Sequence, residues 1–504
     1  LAKRRSPFSS DMLVLERDAD LPMHRQLYDK LRAEILAGHL KADTRLPPTR
    51  LMAEDLGVSR NTVITTYDTL LAEGYLESRS GSGTWVATLP ADAVAARNLV
   101  GSAGAPSLSL RGTRMANQPR DRTIPDHIAF HPGYPEIKGF PFSTWARLLK
   151  RHARYSHEDL YGYHWVAGLP RLQVAIAEYL RGSRGVECNP EQVLVVNGAQ
   201  AALDILARML VDDGDVCWLE EPGYIGAQNA LQSAGARLVP LPVGSEGWSL
   251  DEEARPAPRL IFVTPSCQWP LGCVMRMEDR LRLLQIAERH DAWIVEDDYD
   301  SEYRFRGRPI PAMQGLDKSG RVIYLGTFAK TLFPSLRIGF IVVPPQLVDG
   351  FKRVASNTGH CPSLLLQAAL ADFISEGYFA THLRRMRRLY AERQKVFVDL
   401  CRHHLADWLT VEENDAGMQL VGRFTRGFDD EALWQLAQKQ GVDFSPLSRQ
   451  FFSSPPQQGA ILGYAGIDLK TMREAILSLR AAFVNLDNKG ASGQLSKSAS
   501  PRRR

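Results

Sequence analysis

The stretch Gly326-Thr327-Phe328-Ala329-Lys330-Thr331-Leu332-Phe333-Pro334-Ser335-Leu336-Arg337-Ile338-Gly339 decides how the larger part of this chain folds. One apolar run, Val322–Leu325, precedes it, and another, Ile338–Val343, follows. Both are short and read as buried strands. The lysine therefore falls just past a strand end, with Thr327 three residues before it and Arg337 seven after. A lysine amine in such a place can form a Schiff base with a carbonyl cofactor. Thr327 and Arg337 can hold an anionic phosphate, the arginine through its planar fork. Alone, a lysine near a strand end is an ordinary surface charge, so its neighbours must carry the reading.

Working outward, further strand candidates are Val193–Val196, Val216–Leu219, Leu260–Val263 and Trp293–Val295. Helical runs lie between them at Gln200–Leu210 and Glu278–His290, and a long one follows at Ser363–Leu400. Near-continuous apolar strands alternating with helices predict a mostly parallel sheet covered on both faces. The pattern then changes over Gln419–Phe424, Asp429–Gln440, Ile461–Tyr464 and Thr471–Phe483, which predicts a smaller α+β lobe.

The strand ends collect chemistry. Glu296-Asp297-Asp298-Tyr299-Asp300 puts a carboxylate where it can pair with a protonated pyridine nitrogen, and a tyrosine where it can donate to a phenolate oxygen. Asn197-Gly198-Ala199-Gln200-Ala201 joins a strand to a helix, so its N–H groups can cradle a phosphate. Glu220-Glu221-Pro222-Gly223-Tyr224 ends another strand, and Tyr224 can stack on a ring. Thr264-Pro265-Ser266-Cys267-Gln268-Trp269-Pro270-Leu271-Gly272 ends a further one, and Tyr161-Gly162 precedes a helix. Each item alone is weak, and their joint order along successive strand ends makes the signal.

Residues 21–88 form a different module. Leu27, Leu31, Ile35 and Leu36 share one helical face, and Gly38 closes that helix. Thr49 can cap a short helix, Arg50–Leu56; Gly57 turns the chain; Ser59 can cap a third helix, Arg60–Glu73. This is a helix-turn-helix layout, and its third helix presents Ser59, Arg60, Asn61, Thr62 and Thr65 at its start, where short polar and forked side chains reach phosphates and base edges. Two short strands around Gly81-Ser82-Gly83 then predict a hairpin wing.

These residues resemble the winged-helix domain of the GntR family of bacterial regulators, with Leu46-Pro47-Pro48-Thr49-Arg50, Leu56-Gly57-Val58-Ser59-Arg60-Asn61-Thr62-Val63, Leu70-Leu71-Ala72-Glu73-Gly74-Tyr75 and Gly81-Ser82-Gly83-Thr84 in that family's order. Residues 126–487 resemble the fold-type I aminotransferase domain. Together the two resemble the MocR subfamily, dimeric chimeras in which a transaminase-like domain senses a ligand through pyridoxal 5'-phosphate. The resemblance implies that Lys330 holds the cofactor covalently, Asp297 pairs with its ring nitrogen, Tyr299 bonds its ring oxygen and Tyr224 stacks. It implies phosphate binding by Ala199, Gln200, Thr327 and Arg337, with Tyr161 reaching in from the other subunit of a domain-swapped homodimer. It also implies double-stranded DNA contacts by Arg50, Ser59, Arg60, Asn61, Thr62 and the wing tip Gly81, Ser82 and Gly83, and a small amino-compound effector.

Two departures stand out. Transaminases usually show Asn-Pro-x-Gly where this chain has Trp269-Pro270-Leu271-Gly272, so the asparagine donor is absent or replaced. The familiar α-carboxylate arginine is missing from Gly459-Ala460-Ile461-Leu462-Gly463-Tyr464-Ala465-Gly466, and the nearest candidate is Arg449, an effector-binding or a solvated residue. Both departures fit a sensor with at most weak transaminase activity. The alternative is an active aminotransferase with an accessory DNA-binding module, and a third reading is a regulator that senses the cofactor itself.

Composition sets the frame. A chain of 504 residues with 44% hydrophobic and 23% charged residues is globular, not disordered or fibrous. No run reaches the ~18 apolar residues of a membrane span, and Leu1-Ala2-Lys3-Arg4-Arg5-Ser6 lacks the apolar stretch of a signal peptide. Six sparse cysteines without a C-x-x-C pair predict reduced thiols and a cytoplasmic protein, and no metal site is read. The expected organisation is an N-terminal extension over 1–20, the winged helix over 21–88, a flexible linker over 89–125, the effector domain over 126–487 and a disordered basic tail over 488–504. The formal charge of +4 resides in the two ends, which are expected to add non-specific DNA attraction. Residues 1–87 carry twelve Lys/Arg against twelve Asp/Glu, so DNA affinity must come from a local face.

Overall fold

A computed structural model describes residues 13–17, 21–89, 108–118, 129–154, 158–162, 167–307 and 310–498, the last ten by backbone alone. Most of the expected N-terminal extension and of the linker, and the end of the basic tail, lie outside the described residues, but Leu13 and Leu15 of that extension pack into the core of the first unit. The chain divides into two units, Leu1–Ser109 and Leu110–Arg504.

In the first unit, helices Met23–Leu36, Thr49–Leu56 and Arg60–Ala72 precede strands β1 (Leu76–Arg79) and β2 (Gly83–Val86). Leu27, Leu31 and Ile35 recur at helical spacing and close on Met52, Val63, Tyr67 and Leu70 in a small apolar core. The Ser59 side chain caps the third helix by accepting from the Thr62 N–H at 3.1 Å, as its position predicts. Thr49 is the first residue of the second helix rather than its cap, which falls on Pro48. Strands β1 and β2 pair antiparallel from Leu76↔Val86 to Arg79↔Gly83, leaving Ser80, Gly81 and Ser82 as the wing tip.

The second unit is built on an eight-stranded sheet. Its strands are β3 (Val193–Val196), β4 (Val216–Glu221), β5 (Arg237–Gly244), β6 (Gly247–Trp248), β7 (Leu260–Val263), β8 (Trp293–Asp298), β9 (Val322–Thr327) and β10 (Gly339–Val342). Their order is β3-β10-β9-β8-β7-β4-β5-β6. β4, β5, β7, β8 and β9 run parallel, β10 runs against both β3 and β9, and β6 is a short antiparallel edge. Alternation along each strand sends side chains to opposite faces. Val193, Val195, Phe340 and Val342 pack with the helices Pro170–Arg184, Leu364–Ser375 and Tyr378–His404. Leu194, Val196, Leu325 and Ile341 pack instead with Ala199–Leu210 and Val348–Thr358. Both faces are dry, which is why the strands read as unbroken apolar runs.

The small lobe is a four-stranded antiparallel sheet of β11 (Leu409–Val411), β12 (Gln419–Phe424), β14 (Gly459–Gly463) and β13 (Ser445–Pro446), with helices Asp430–Gln438 and Leu469–Ser498. Three details differ from the sequence reading. The long run Ser363–Leu400 is two helices, parted at Gly377, whose φ of 79° interrupts the right-handed backbone. The stretch read as linker contains a short helix, Leu110–Ala116. The last helix continues to Ser498, past the expected domain end at 487.

Candidate functional site

Strands β3, β4, β7, β8 and β9 all point the same way, so their C-terminal ends share one edge of the sheet. A cavity of about 730 Å³ opens there. Lys330, Asp297, Tyr299, Tyr224, Ala199, Gln200, Thr327 and Arg337 all line it, and so does Arg449. Tyr161 does not: it ends a single helical turn, Glu158–Tyr161, and is 59% exposed.

The Lys330 ammonium donates to the Gly133 carbonyl at 2.9 Å. Gly133 has φ +67°, a conformation that favours glycine, and a Cβ there would lie 2.5 Å from Nζ and push the lysine's end aside. The backbone around the lysine is fixed from below. The Tyr303 hydroxyl lies 3.2 Å from both the Lys330 and Thr331 carbonyls, and His382 Nε2 bonds the Thr331 carbonyl at 3.0 Å. Burial, with help from the Arg385 charge, pushes the His382 pKa down to about 4, so the ring is neutral.

Asp297 and Asp298 end β8 side by side and both are buried. Asp298 is occupied: its Oδ2 accepts from Arg184 Nε at 2.7 Å and from the Tyr324 hydroxyl at 2.5 Å. Asp297 lines the cavity, and its Oδ1 has no hydrogen-bond partner among the described residues. Burial, then the charges of Asp298 and Glu220, push its pKa up to about 8 against the pull of Lys330. A buried carboxyl oxygen without a partner is costly, and a cationic ring N–H in the cavity would relieve that cost.

Aromatic side chains form the cavity's other wall. Trp269 meets Tyr224 edge-on at 6.3 Å and Tyr299 at 5.9 Å between ring centroids. The Tyr299 hydroxyl accepts from Gln419 Nε2 at 3.3 Å. Trp269 stands where the asparagine donor is expected, but its Nε1 donates to Gln450 Oε1 at 3.0 Å, so the indole closes a wall rather than replacing that donor.

Toward the phosphate end, Gly198 and Ala199 start the helix Ala199–Leu210, whose first-turn N–H groups and dipole favour an anion. The Gln200 side chain is committed to the Gly226 carbonyl at 3.1 Å, leaving its backbone for that role. Thr327 Oγ1 accepts from the Ala329 N–H at 3.2 Å. Arg337 is exposed, adopts φ 54° and makes no ion pair among the described residues.

Beside the expected Arg449, the cavity also holds residues that the sequence reading missed. His131 Nδ1 bonds Asp443 Oδ2 at 2.7 Å, and Asp443 Oδ1 accepts from Trp434 Nε1 at 2.7 Å. Burial opposes the Asp443 charge, but these bonds outweigh it and hold its pKa below the usual value. Arg449 donates through Nε and Nη2 to both carboxylate oxygens of Glu431, the latter at 2.6 Å. Met115 and Gln118, from the stretch read as linker, also line the cavity. Nothing in their local sequence marks these residues: the fold joins His131 to Asp443 across 312 positions, and even Arg449 and Glu431, 18 apart, meet only through the packing of the small lobe.

In the first unit, Arg60 and Asn61 are exposed at the start of the third helix, with Thr62 half-buried beside them. Ser59 and Thr62 share a hydroxyl hydrogen bond at 2.8 Å besides the cap. Arg50 is exposed and bonds Glu54 at 3.3 Å. Gly81, Ser82 and Gly83 form or flank the wing tip. Arg45, which the sequence reading passed over, lies over the Trp85 ring and against Gly83.

Comparison with known proteins agrees with both units. Residues 134–483 match the aminotransferase class I and II family, and residues 23–86 match the gntR family of bacterial regulatory proteins. The chain is 85% identical over 491 residues to the probable rhizopine catabolism regulatory protein MocR of Rhizobium meliloti, covering 97% of this chain and all of that one. It is 28% identical to the HTH-type pyridoxine biosynthesis transcriptional regulator PdxR of Corynebacterium glutamicum, over 91% of this chain and 95% of that one. Among solved structures, the α-aminoadipate aminotransferase LysN of Thermus thermophilus superposes with a TM-score of 0.66 and 29% identity, over 72% of this chain and 93% of that one. The chain therefore belongs to the MocR-type transcriptional regulators, which join a gntR-family helix-turn-helix domain to an aminotransferase class I and II domain.

Proposed function

We propose that this regulator holds pyridoxal 5'-phosphate in the cavity at the sheet's carboxyl edge and senses an amino compound there. The observation that carries the reading is Asp297, a buried carboxyl group in the same cavity as Lys330, whose Oδ1 has no partner among the described residues. When bound, the cofactor supplies an aldehyde that can exchange the lysine amine for an effector amine. In this reading Lys330 holds the aldehyde carbon and Asp297 the ring nitrogen. Tyr299 faces the ring oxygen, and Tyr224 and Trp269 pack about the ring. Arg337, Thr327 and the N–H groups of Ala199 and Gln200 hold the phosphate.

The 85% identity to a rhizopine catabolism regulator supports rhizopine as the compound sensed. Arg50, Arg60, Asn61 and the wing tip are the proposed DNA contacts, with Ser59 and Thr62 fixing the helix end between them. Tyr161, exposed and outside the cavity of its own chain, supports a homodimer in which it enters the cavity of a second copy. The experiment is direct. Purified chain loaded with pyridoxal phosphate is reduced with borohydride, digested and weighed by mass spectrometry. Label on the Lys330 peptide, lost in Asp297→Ala at limiting cofactor, is the expected result. Label spread over surface lysines would count against the site.

A further inference from the structure

The His131–Asp443 pair is chemistry in the cavity that the cofactor reading does not use. Backbone pairing puts the two residues side by side. Ala129 bridges Val442, the Asp443 N–H donates to the Ala129 carbonyl at 2.8 Å, and the Gly463 N–H donates to the Phe130 carbonyl at 2.8 Å. A Cβ on Gly463 would lie 2.1 Å from the His131 carbonyl oxygen, so the small lobe holds this segment closely. His131 stands two residues, at most ~7 Å of chain, before Gly133, whose carbonyl takes the Lys330 ammonium. His131, Asp443 and Lys330 all line the cavity.

The pair has a defined tautomer. Asp443 Oδ1 accepts from Trp434 Nε1 at 2.7 Å and from Gln438 Nε2 at 3.2 Å, and Oδ2 faces His131 Nδ1 at 2.7 Å. These bonds keep the carboxyl group ionised although it is buried. An ionised carboxylate can only accept, so the proton between the two side chains is on Nδ1. In the neutral ring Nε2 then carries the lone pair. A base whose ring is oriented by a carboxylate, itself fixed by further donors, is the arrangement of a proton acceptor.

An effector amine has the matching need. Alkyl amines titrate near ~10, so the group enters as an ammonium with no lone pair for attack. One N–H bond must break before its nitrogen can bond the cofactor's carbon and release Lys330. We infer that His131 Nε2 accepts this proton, and that Asp443 is the positioning residue that fixes the ring for it. The exchange begins with one ammonium and ends with another: Nε2 passes its proton to the departing Lys330 amine, and no net proton is consumed. The inference rests on the cofactor reading above.

The test uses the full-length chain and two variants. His131→Asn keeps a donor where Nδ1 stands and removes Nε2. In Asp443→Asn, Trp434 and Gln438 retain the amide oxygen, so the amide nitrogen faces Nδ1 and drives the ring's proton to Nε2. Nitrogen-15 histidine spectra of cofactor-free protein, with the signal assigned by its loss in His131→Asn, are expected to show the proton on Nδ1 in wild type and on Nε2 in Asp443→Asn. A wild-type ring protonated on Nε2 alone would overturn the inference.

Stopped-flow absorbance of cofactor-loaded protein then compares ethanolamine, an ammonium at neutral pH, with hydroxylamine, which is neutral there. His131→Asn is expected to slow ethanolamine by about a hundredfold and hydroxylamine little, with Asp443→Asn showing the same selective loss. Added imidazole should restore part of the ethanolamine rate in His131→Asn. Equal slowing of both probes would make the pair a structural tie and overturn the inference, as would an unchanged ethanolamine rate. A wild-type chain that acquires no lysine-bound cofactor absorbance would overturn the cofactor reading and this inference together, whereas the other outcomes overturn this inference alone.

Discussion

At the scale of single residues, Asp297 and Asp298 are chemically identical neighbours with different fates. Arg184 and Tyr324 occupy the second, while the first keeps one oxygen, Oδ1, without a hydrogen-bond partner among the described residues, in the same cavity as Lys330. With its pKa raised to about 8, the folded chain keeps the Asp297 proton where the unfolded chain has lost it, above ~4. Without cofactor, stability therefore falls as pH rises from about 4 toward about 8 and levels off beyond. Asp297→Asn removes that penalty. The cofactor-free variant is expected to melt above wild type at pH 8, by roughly 2–4 °C, with the gap closing toward pH 5. Its affinity for pyridoxal phosphate is expected to fall at least about tenfold. Equal melting at pH 8 would show that burial of Asp297 carries no cost. Arg60 gives a second prediction at this scale. It is exposed and caps nothing, so Arg60→Ala should leave the melting curve unchanged while lowering operator affinity. If its contact is a phosphate, the salt slope drops by about one unit. An unaltered affinity in a binding titration would remove it from the interface.

At the scale of elements, the legible parts were those with a local cause. Apolar runs gave β3, β7 and β9 almost to the residue, and the order of motifs at strand ends foretold which side chains meet in the cavity. Strand β5 was missed because Pro240 and Pro242 argue against a strand. It is tolerated because alternate residues turn their missing N–H groups to the outer edge, where β6 pairs only with Val243 and Gly244. The Arg449–Glu431 and His131–Asp443 pairs were invisible because neither partner predicts the other along the chain. The helix Leu110–Ala116 was hidden by its Gly- and Arg-rich surroundings. It leans on the helix Ile225–Ala234, and just beyond it Gln118 Nε2 donates to the Asn229 carbonyl at 3.0 Å. Met115 and Gln118 line the cavity, so this segment is part of its wall. Gln118→Ala is expected to weaken effector binding several-fold in calorimetry while leaving the cofactor's absorbance unchanged. Loss of the cofactor signal itself would mean that the segment holds the cavity together instead.

At the scale of the whole molecule, the two units carry separate cores and separate chemistry. An effector can change DNA binding only through its different affinity for two arrangements of the chain, and a tenfold effect needs about 1.4 kcal/mol. The exchange of amines at Lys330 is the proposed source of that difference, while the proposed DNA contacts are side chains of the first unit. Removing the lysine should therefore separate binding from response. The decisive measurement is the affinity of cofactor-loaded protein for its operator, selected from random-sequence duplexes, with and without rhizopine, in wild type and in Lys330→Ala. Rhizopine is expected to shift the wild-type affinity by about tenfold or more, and the folded variant is expected to bind DNA comparably but not to respond. A Lys330→Ala protein that responds to rhizopine as wild type does would contradict it.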